Sequence, residues 1–183
     1  MPRARPKPLT QKSLENAALF YLERYASSAA NLRRVLMRRV AKAADEDKAP
    51  GKRMVEALVA RYLAAGLIDD RAYAAQRAAS LHRRGASRAG IRGKLAQKGV
   101  EADEIAAALD GLSEAGGELA AACALIRRRR LGPYRAPGER AAHRQRDLAV
   151  LARAGFALAL ARRALAAKDA DALDRMREEA AEE

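Results

Sequence analysis

The sequence predicts an all-α protein built as a tandem array of three three-helix repeats. Apolar residues recur at spacings of three and four, the period of an amphipathic helix, and runs that alternate with the strand period of two are missing. Ala supplies 47 of the 183 residues and is the best helix former, so the composition favours helices with thin interfaces between them. Apolar, serine and glycine positions also recur at long, constant spacings, which indicates a repeated unit.

The first repeat, residues 10–66, contains three predicted helices. Thr10 can cap the first of them, and Ser28 can cap the second. The acidic loop of residues 45–51 then leads into the third helix. Gly66 can end that helix, because glycine readily adopts the left-handed conformation that terminates helices.

The second and third repeats are identified by aligning the sequence with itself. A shift of 59 residues aligns Ser28 of the first repeat with Ser87 of the second, and a shift of 56 residues aligns Gly99 of the second repeat with Gly155 of the third. Gly85 and Gly99 are predicted to end helices of the second repeat. The predicted domains are a disordered basic N-terminus at residues 1–9, repeats at residues 10–66, 67–112 and 113–168, and an acidic C-terminal tail at residues 169–183.

The net charge of +13 is unevenly distributed. Residues 1–68 hold 14 Lys and Arg against 6 Asp and Glu, and residues 113–168 hold 12 against 4. Residues 69–112 are nearly balanced, with 8 against 6, whereas residues 169–183 hold 2 against 7. A basic body attracts polyanions such as nucleic acid, an anionic membrane or an acidic protein. The alternative explanation is a GC-rich genome, which raises the content of Arg and Ala in its proteins. The acidic tail could screen the basic surface of the free protein.

Several classes of protein and site are excluded or disfavoured. The single Cys123 excludes a disulfide framework and a Cys-rich zinc site, and His82 and His143 lack the spacing of metal ligands. Phosphate-binding loops and dinucleotide fingerprints are missing, so no cofactor is expected. No run of about 18 apolar residues or secretory signal occurs, which predicts a cytoplasmic protein without a membrane partner. Asp69 and Asp70 are the only candidates for paired catalytic carboxylates, and helix capping already accounts for them.

The second helix of each repeat is rich in arginine and lysine. Arginine suits phosphate and carboxylate because its guanidinium is a bidentate donor. If the repeats are equivalent in space, these helices form a discontinuous basic stripe; the alternative is that they are merely solvated faces. The candidate residues for contacting a polyanion, whether nucleic acid or an acidic protein surface, are Arg33, Arg34, Arg38, Arg39, Arg88, Arg92, Lys94, Lys98, Arg127, Arg128, Arg129, Arg130, Arg135, Arg144 and Arg146.

The remaining chemistry-bearing residues are predicted to be structural. Aromatic residues such as Phe20, Tyr25 and Tyr62 are expected in the core, and Cys123 is expected to be a small buried residue. Tyr134, beside Arg135, is the exception, because an exposed ring next to arginine suits base stacking. The two histidines are expected on polar faces. Few asparagines and glutamines are available as base readers, so contacts with the nucleic-acid backbone are favoured.

The central part of the sequence carries a distinctive series of motifs. The block Gly-Leu-Ile-Asp-Asp-Arg-Ala-Tyr-Ala at residues 66–74 is followed by Gly85, Ile91 and Leu95, and then by Lys-Gly-Val at residues 98–100. These motifs resemble the central block of the RecX family of bacterial regulatory proteins. The segment from Leu151 to Phe156 is similar to the family's C-terminal element, so the match covers about residues 10–168. Ser87 stands where the family often has a second glycine. The motif positions are Gly66, Asp69, Asp70, Tyr73, Gly85, Gly99, Gly155 and Phe156.

The resemblance implies both a fold and a role. RecX proteins are elongated, curved arrays of three-helix repeats that bind in the groove of the RecA–DNA filament. They usually inhibit the recombinase and co-protease activities of RecA in homologous recombination, DNA repair and the SOS response, and they bind DNA weakly alone. No catalytic residue or cofactor is implied, and we expect a monomer. Two rivals remain: a general nucleic-acid-binding helical protein independent of RecA, and a nuclease that uses Asp69 and Asp70.

Overall fold

The computed structural model describes residues 9–112 and 117–182, and every regular element in these ranges is helical. The predicted all-α class and its succession of three-helix repeats are confirmed. Residues 1–8, the greater part of the predicted N-terminal segment, and residues 113–116, the predicted start of the third repeat, lie outside the described ranges. The α-helices of the described ranges are α1 (Gln11–Leu22), α2 (Ala29–Lys42), α3 (Ala49–Ala64), α4 (Asp70–Arg83), α5 (Arg88–Gln97), α6 (Ala102–Asp110), α7 (Glu118–Arg129), α8 (Arg140–Arg153), α9 (Leu158–Leu165) and α10 (Ala170–Glu182).

Serine and threonine side chains begin helices where the sequence predicts them. The Thr10 hydroxyl oxygen accepts a hydrogen bond from the Ser13 backbone N–H at 3.2 Å. The Ser13 hydroxyl oxygen in turn accepts one from the Thr10 backbone N–H at 3.2 Å, and the two bonds form a capping box. Ser28 accepts from the Asn31 N–H at 3.2 Å, and Ser87 accepts from the Gly90 N–H at 2.9 Å. These bonds satisfy N–H groups that have no partner within the helix.

Glycines end helices as expected. Gly66, Gly85, Gly99 and Gly155 have φ values of +68°, +80°, +75° and +89°, in the left-handed region that favours glycine. Gly85 has a second role, because a Cβ at this position would lie 2.5 Å from the Leu125 backbone nitrogen. The absence of a side chain therefore lets the end of α4 approach α7 closely.

The described chain divides into two compact units. The first contains the residues up to Tyr73 together with residues 98–100. Helices α1, α2 and α3 bury Leu14, Leu32, Leu36 and Val59 in one core, which also includes Ile68. This unit holds the first repeat and the turn that follows α5.

The second unit contains residues 74–97 and the chain from residue 101 onward. Its largest core joins α7, α8, α9 and α10 through residues such as Ile126, Leu151 and Phe156. Helix α10 packs along α7 and buries Leu173 completely. The acidic segment is therefore anchored by one apolar face, because Leu173, Met176 and Ala180 recur at the helical spacing.

The same serine-mediated junction occurs once in each unit. In the first, Ser28 Oγ donates to the Lys98 carbonyl at 2.5 Å, and in the second, Ser87 Oγ donates to the Ala154 carbonyl at 2.5 Å. Both carbonyls stand directly before a helix-ending glycine, Gly99 or Gly155. The two serines are related by the shift of 59 and the two glycines by the shift of 56, which supports the repeat alignment.

An acidic side chain completes each junction. Asp70 Oδ1 accepts from the backbone N–H of Ala29, the first residue of α2, at 2.7 Å. The Glu118 carboxylate accepts from the backbone N–H of Arg88, the first residue of α5. Both carboxylates therefore neutralise the positive N-terminal end of a basic helix.

Two aromatic residues that the sequence predicts in the core are exposed instead. Phe20 and Tyr25 are 56% and 58% exposed, whereas Tyr62 and Phe156 are buried as expected. Phe20 lies about 200° around α1 from the buried Ala18, so it faces away from α2 and α3. Tyr25 lies three residues after Leu22, the last residue of α1; its backbone N–H donates to the Tyr21 carbonyl at 3.0 Å, but its side chain stays exposed. None of the described helices is long and apolar enough to span a membrane.

Candidate functional site

The second unit contains a groove of about 560 Å³ between the α4–α5 turn, α5, α7 and α8. Five cationic side chains line it, and we call it the basic groove: Arg84, Lys94, Arg128, Arg129 and Arg153. No carboxylate belongs to its lining. None of the five cations forms an ion pair or hydrogen bond with any residue that the structure describes.

The helices explain how five like charges can lie around one groove. Lys94, Arg129 and Arg153 lie in the last turns of α5, α7 and α8, where the partial negative charge of the helix end stabilises a cation. Arg84 directly follows α4. This stabilisation is about 0.3–1 kcal/mol per residue at a surface. It offsets part of the mutual repulsion but leaves the groove electropositive and open to an anion.

The apolar part of the groove lining comes from Leu81, Leu125 and Val150. The two leucines are buried and Val150 is half-buried. No aromatic residue lines the groove. It therefore combines charged groups for anions with a small aliphatic surface, and it offers no ring on which a base could stack.

The basic groove brings together three of the predicted binding residues, Lys94, Arg128 and Arg129. Arg84 and Arg153 were not among the predicted binding residues. A usable signal was present, since Arg84 lies one residue before Gly85 and Arg153 lies two before Gly155. A cation just before a helix-ending glycine is held at the negative end of that helix.

Other predicted binding residues have partners within the protein. Arg33 pairs with Glu56 at 2.8 Å, and Arg88 pairs with Asp110 at 3.4 Å. Lys98 Nζ donates to Asn31 Oδ1 at 3.3 Å. The side chains of Arg33 and Glu56 are 39% and 51% exposed, and pairs of this kind contribute little to stability, so a polyanion could displace them.

The predicted arginines of α2 and α8 remain at the surface. Arg38 and Arg39 are exposed on α2, and Arg144 and Arg146 are exposed on α8. Arg34 and Arg92 are exposed as well. These positions agree with a binding surface, and the discontinuous basic stripe along the three repeats stays a prediction.

The four consecutive arginines at the end of α7, Arg127 to Arg130, have different surroundings. Arg128 and Arg129 line the basic groove, whereas Arg127 pairs with Asp174 of α10 at 3.8 Å. Arg130 has a φ of +51°, the only positive value among the non-glycine residues described. This backbone conformation is unfavourable for a residue with a Cβ. The arginine that follows the last residue of α7 therefore lowers the stability of the folded protein relative to a glycine at the same position.

Arg135, predicted as a binding residue, is instead engaged with the buried Asp147. Its Nε and Nη2 atoms donate to the two carboxylate oxygens at 2.8 Å each, and the Gly132 N–H donates to Oδ2 at 2.9 Å. Burial alone would raise the pKa of Asp147, but the hydrogen bonds from Arg135 and Gly132 lower it overall. This bidentate pair holds the turn before α8. Tyr134 is half-buried against the adjacent core and is not the exposed stacking ring that the sequence predicts.

The carboxylate pair of the central block, Asp69 and Asp70, serves as helix caps. Asp69 Oδ1 accepts from the Ala72 N–H at 2.9 Å at the start of α4, and Asp70 caps α2 as described. Among the residues that the structure describes, no group of three His, Cys, Asp or Glu side chains could hold a metal ion. The other motif positions support the fold, with Phe156 buried and Tyr73 half-buried.

His82 and Cys123 are both buried. The sequence predicted Cys123 correctly, and burial raises the pKa of its thiol to about 11, which keeps it protonated. The prediction of a surface His82 is wrong, since this residue is 5% exposed where α4 faces the interior of the second unit. Burial lowers the pKa of His82, with Glu118 opposing and Arg88 reinforcing the shift.

Comparison with known proteins identifies relatives across most of the chain. The family model described as "RecX, second three-helix domain" matches residues 69–109. The chain is 42% identical to "Regulatory protein RecX" of Myxococcus xanthus (strain DK1622) over 165 residues, which cover 88% of each protein. It is 30% identical over 161 residues to the protein of the same name from Agrobacterium fabrum (strain C58 / ATCC 33970), covering 87% of this chain and 85% of that one.

A solved structure supports the fold independently. A crystal structure titled "Crystal structure of regulatory protein RecX" superposes with a TM-score of 0.58 at 22% identity. The superposition covers 82% of this chain and 68% of the other. At this identity the likeness concerns the helical fold alone.

Proposed function

The chain belongs to the RecX family of regulatory proteins, and from this premise we propose that it binds the RecA–DNA filament and restrains the RecA recombinase. It would lower strand exchange and co-protease activity in homologous recombination, DNA repair and the SOS response, acting in the cytoplasm as a monomer. No bond is made or broken in this proposal. Regulation follows from occupying filament and DNA surfaces.

The observation that carries the proposal is the set of cations without acidic partners around the basic groove. Five such side chains repel one another, and Arg128, Arg129 and Arg153 gain stabilisation when an anion enters between them. DNA phosphates and carboxylates on RecA are both suitable anions. The exposed arginines of α2 would provide a second contact region.

The proposal is tested by following RecA filament growth on single-stranded DNA by light scattering. Saturating protein should slow growth or shorten the filaments. The variant Arg128→Gln/Arg129→Gln/Arg153→Gln should restrain growth less. The matched control is Arg162→Gln/Arg163→Gln/Lys168→Gln, which removes the same charge from exposed positions on and after α9 and should behave as the wild type.

Filament growth that is unchanged at saturating wild-type protein would contradict the proposal. The second candidate function, nucleic-acid binding independent of RecA, is favoured by the same cations because they could neutralise phosphates on any strand. It predicts a steep dependence of affinity on salt for naked DNA, with no gain when the DNA is coated with RecA. Measuring both affinities at two salt concentrations separates the candidates.

A further inference from the structure

We propose that the basic groove is a docking site for an acidic peptide segment that carries an aliphatic side chain, supplied by a protein partner. This inference deepens the proposed function, because it rests on the regulated filament as the source of that partner and assigns the groove to protein instead of DNA.

The charges of the groove fit carboxylates. Four of the five cations are arginines, whose planar guanidinium can hold a carboxylate through two parallel hydrogen bonds. Arg128 and Arg129 reach the groove from α7, and Arg153 reaches it from α8. Cations on different helices can contact carboxylates on neighbouring residues of one bound segment. Among the residues that the structure describes, no acidic side chain pairs with any of these three arginines, so no ion pair has to be broken before a carboxylate binds.

The aliphatic lining separates a peptide from a nucleic acid. A phosphodiester backbone would satisfy the arginines but would leave the open part of the half-buried Val150 without an apolar partner, whereas Leu81 and Leu125 are already largely buried within the protein. Its bases would find no aromatic ring among the lining residues. A leucine or valine flanked by carboxylates would cover the aliphatic lining and reach the cations at the same time, since apolar contact and charge are then both matched.

The size of the groove suits such a segment. Its volume of about 560 Å³ falls within the range of roughly 300–1,000 Å³ typical of specific ligand pockets. Gly85 and Gly90 form part of the lining and present no side chain to a peptide backbone. A short stretch of main chain with one aliphatic side chain can therefore enter, whereas a duplex can contact the rim only.

The experiment uses the full chain and three fluorescent probes in anisotropy titrations. The first probe is a seven-residue peptide of alternating Glu and Asp with a central Leu, and the second has Ser in place of that Leu. The third is an eight-nucleotide oligothymidine of similar charge. We expect the Leu peptide to bind about tenfold more tightly than the Ser peptide, because its side chain is removed from water.

Two variants locate the contacts. Arg128→Gln/Arg153→Gln should weaken binding of the Leu peptide at least about tenfold, as expected when two charge-assisted hydrogen bonds are lost. Arg162→Gln/Arg163→Gln is the matched control and should change it little. Val150→Ser should reduce the preference for Leu over Ser while leaving the oligothymidine affinity unchanged, with melting temperature checked for each variant.

Equal affinities for the Leu and Ser peptides, or a larger loss of oligothymidine than of peptide binding in Arg128→Gln/Arg153→Gln, would overturn the inference. Failure of the Leu peptide to bind would also overturn it. The filament assay keeps the two proposals distinguishable. If the wild-type protein restrains RecA filaments but shows no preference for the Leu peptide, the proposed function stands and the docking site is wrong.

Discussion

Asp147→Asn tests whether Arg135 is held for stability or available for binding. The carboxylate accepts three hydrogen bonds, two from Arg135 at 2.8 Å and one from the Gly132 N–H at 2.9 Å. Asparagine has nearly the same size but only one acceptor oxygen, and its NH₂ group would face a donor. The substitution therefore removes the charge and at least one of the bonds to Arg135 without leaving a cavity.

The expected loss follows from these contacts. A hydrogen bond to a charged group contributes about 1.5–3 kcal/mol. Asp147 is almost fully buried, whereas the side chain of Arg135 is 22% exposed and can regain some water. We expect the free energy of unfolding of the second unit to fall by about 3 kcal/mol. For a chain of this size, that loss lowers the melting temperature by roughly 6–12 °C.

The pH dependence has a definite sign. The pKa of Asp147 is lowered by its hydrogen bonds to Arg135 and Gly132 despite burial, so the unfolded chain binds this proton at a higher pH than the folded chain. The stabilisation is complete above the unfolded pKa, about 3.9 for aspartate, and is lost as pH falls through the folded value. The difference between wild type and Asp147→Asn should be constant near neutral pH and shrink below about pH 4.

Circular dichroism during thermal and urea unfolding measures these effects. Arg146→Gln, at an exposed position on α8, is the control and should melt as the wild type does. Arg135→Gln should lower the melting temperature in the same direction as Asp147→Asn. If Arg135→Gln and Asp147→Asn both kept the wild-type melting temperature while filament binding weakened, Arg135 would be a binding residue and the structural argument would be refuted.

Three further predictions concern binding and stability. Arg34→Gln/Arg38→Gln/Arg39→Gln should weaken filament binding without unfolding the protein; a large fall in melting temperature would instead make these residues structural. Ser87→Ala removes an N-cap and the bond to the Ala154 carbonyl directly after α8, so urea unfolding should show a loss of about 2 kcal/mol; wild-type stability would mean that the junction is not formed in solution. Arg130→Gly relieves a positive φ and should stabilise the protein by about 1 kcal/mol while weakening polyanion binding; a destabilised variant would refute the strain argument.

Much of the fold could be predicted because its signals are local. Thr10, Ser28 and Ser87 cap helices that begin within three residues of them, and Gly85 ends a helix through its own backbone conformation. The repeat spacing also predicted equivalent positions for Ser28 and Ser87. That both serines donate to a carbonyl directly after a helix far along the chain could not be predicted, since such contacts depend on packing.

The candidate site was predicted less completely. Lys94, Arg128 and Arg129 were selected for their charge, but Arg84 was missed because it lies outside the basic second helices. Arg135 was selected by the same criterion, although its charge is already matched by Asp147. The sequence does not reveal this pairing, because the two residues are 12 positions apart and a turn lies between them.

The sequence by itself determined the helices, their caps and stops, the repeat and the excess of positive charge, because each depends on residue type and on neighbours within a few positions. Only the tertiary structure decided which cations have acidic partners and which surround a common groove. It also decided that the acidic segment folds against α7 through Leu173. These outcomes depend on distances between residues far apart in the chain, and the interaction of two charges is set by that separation and by burial.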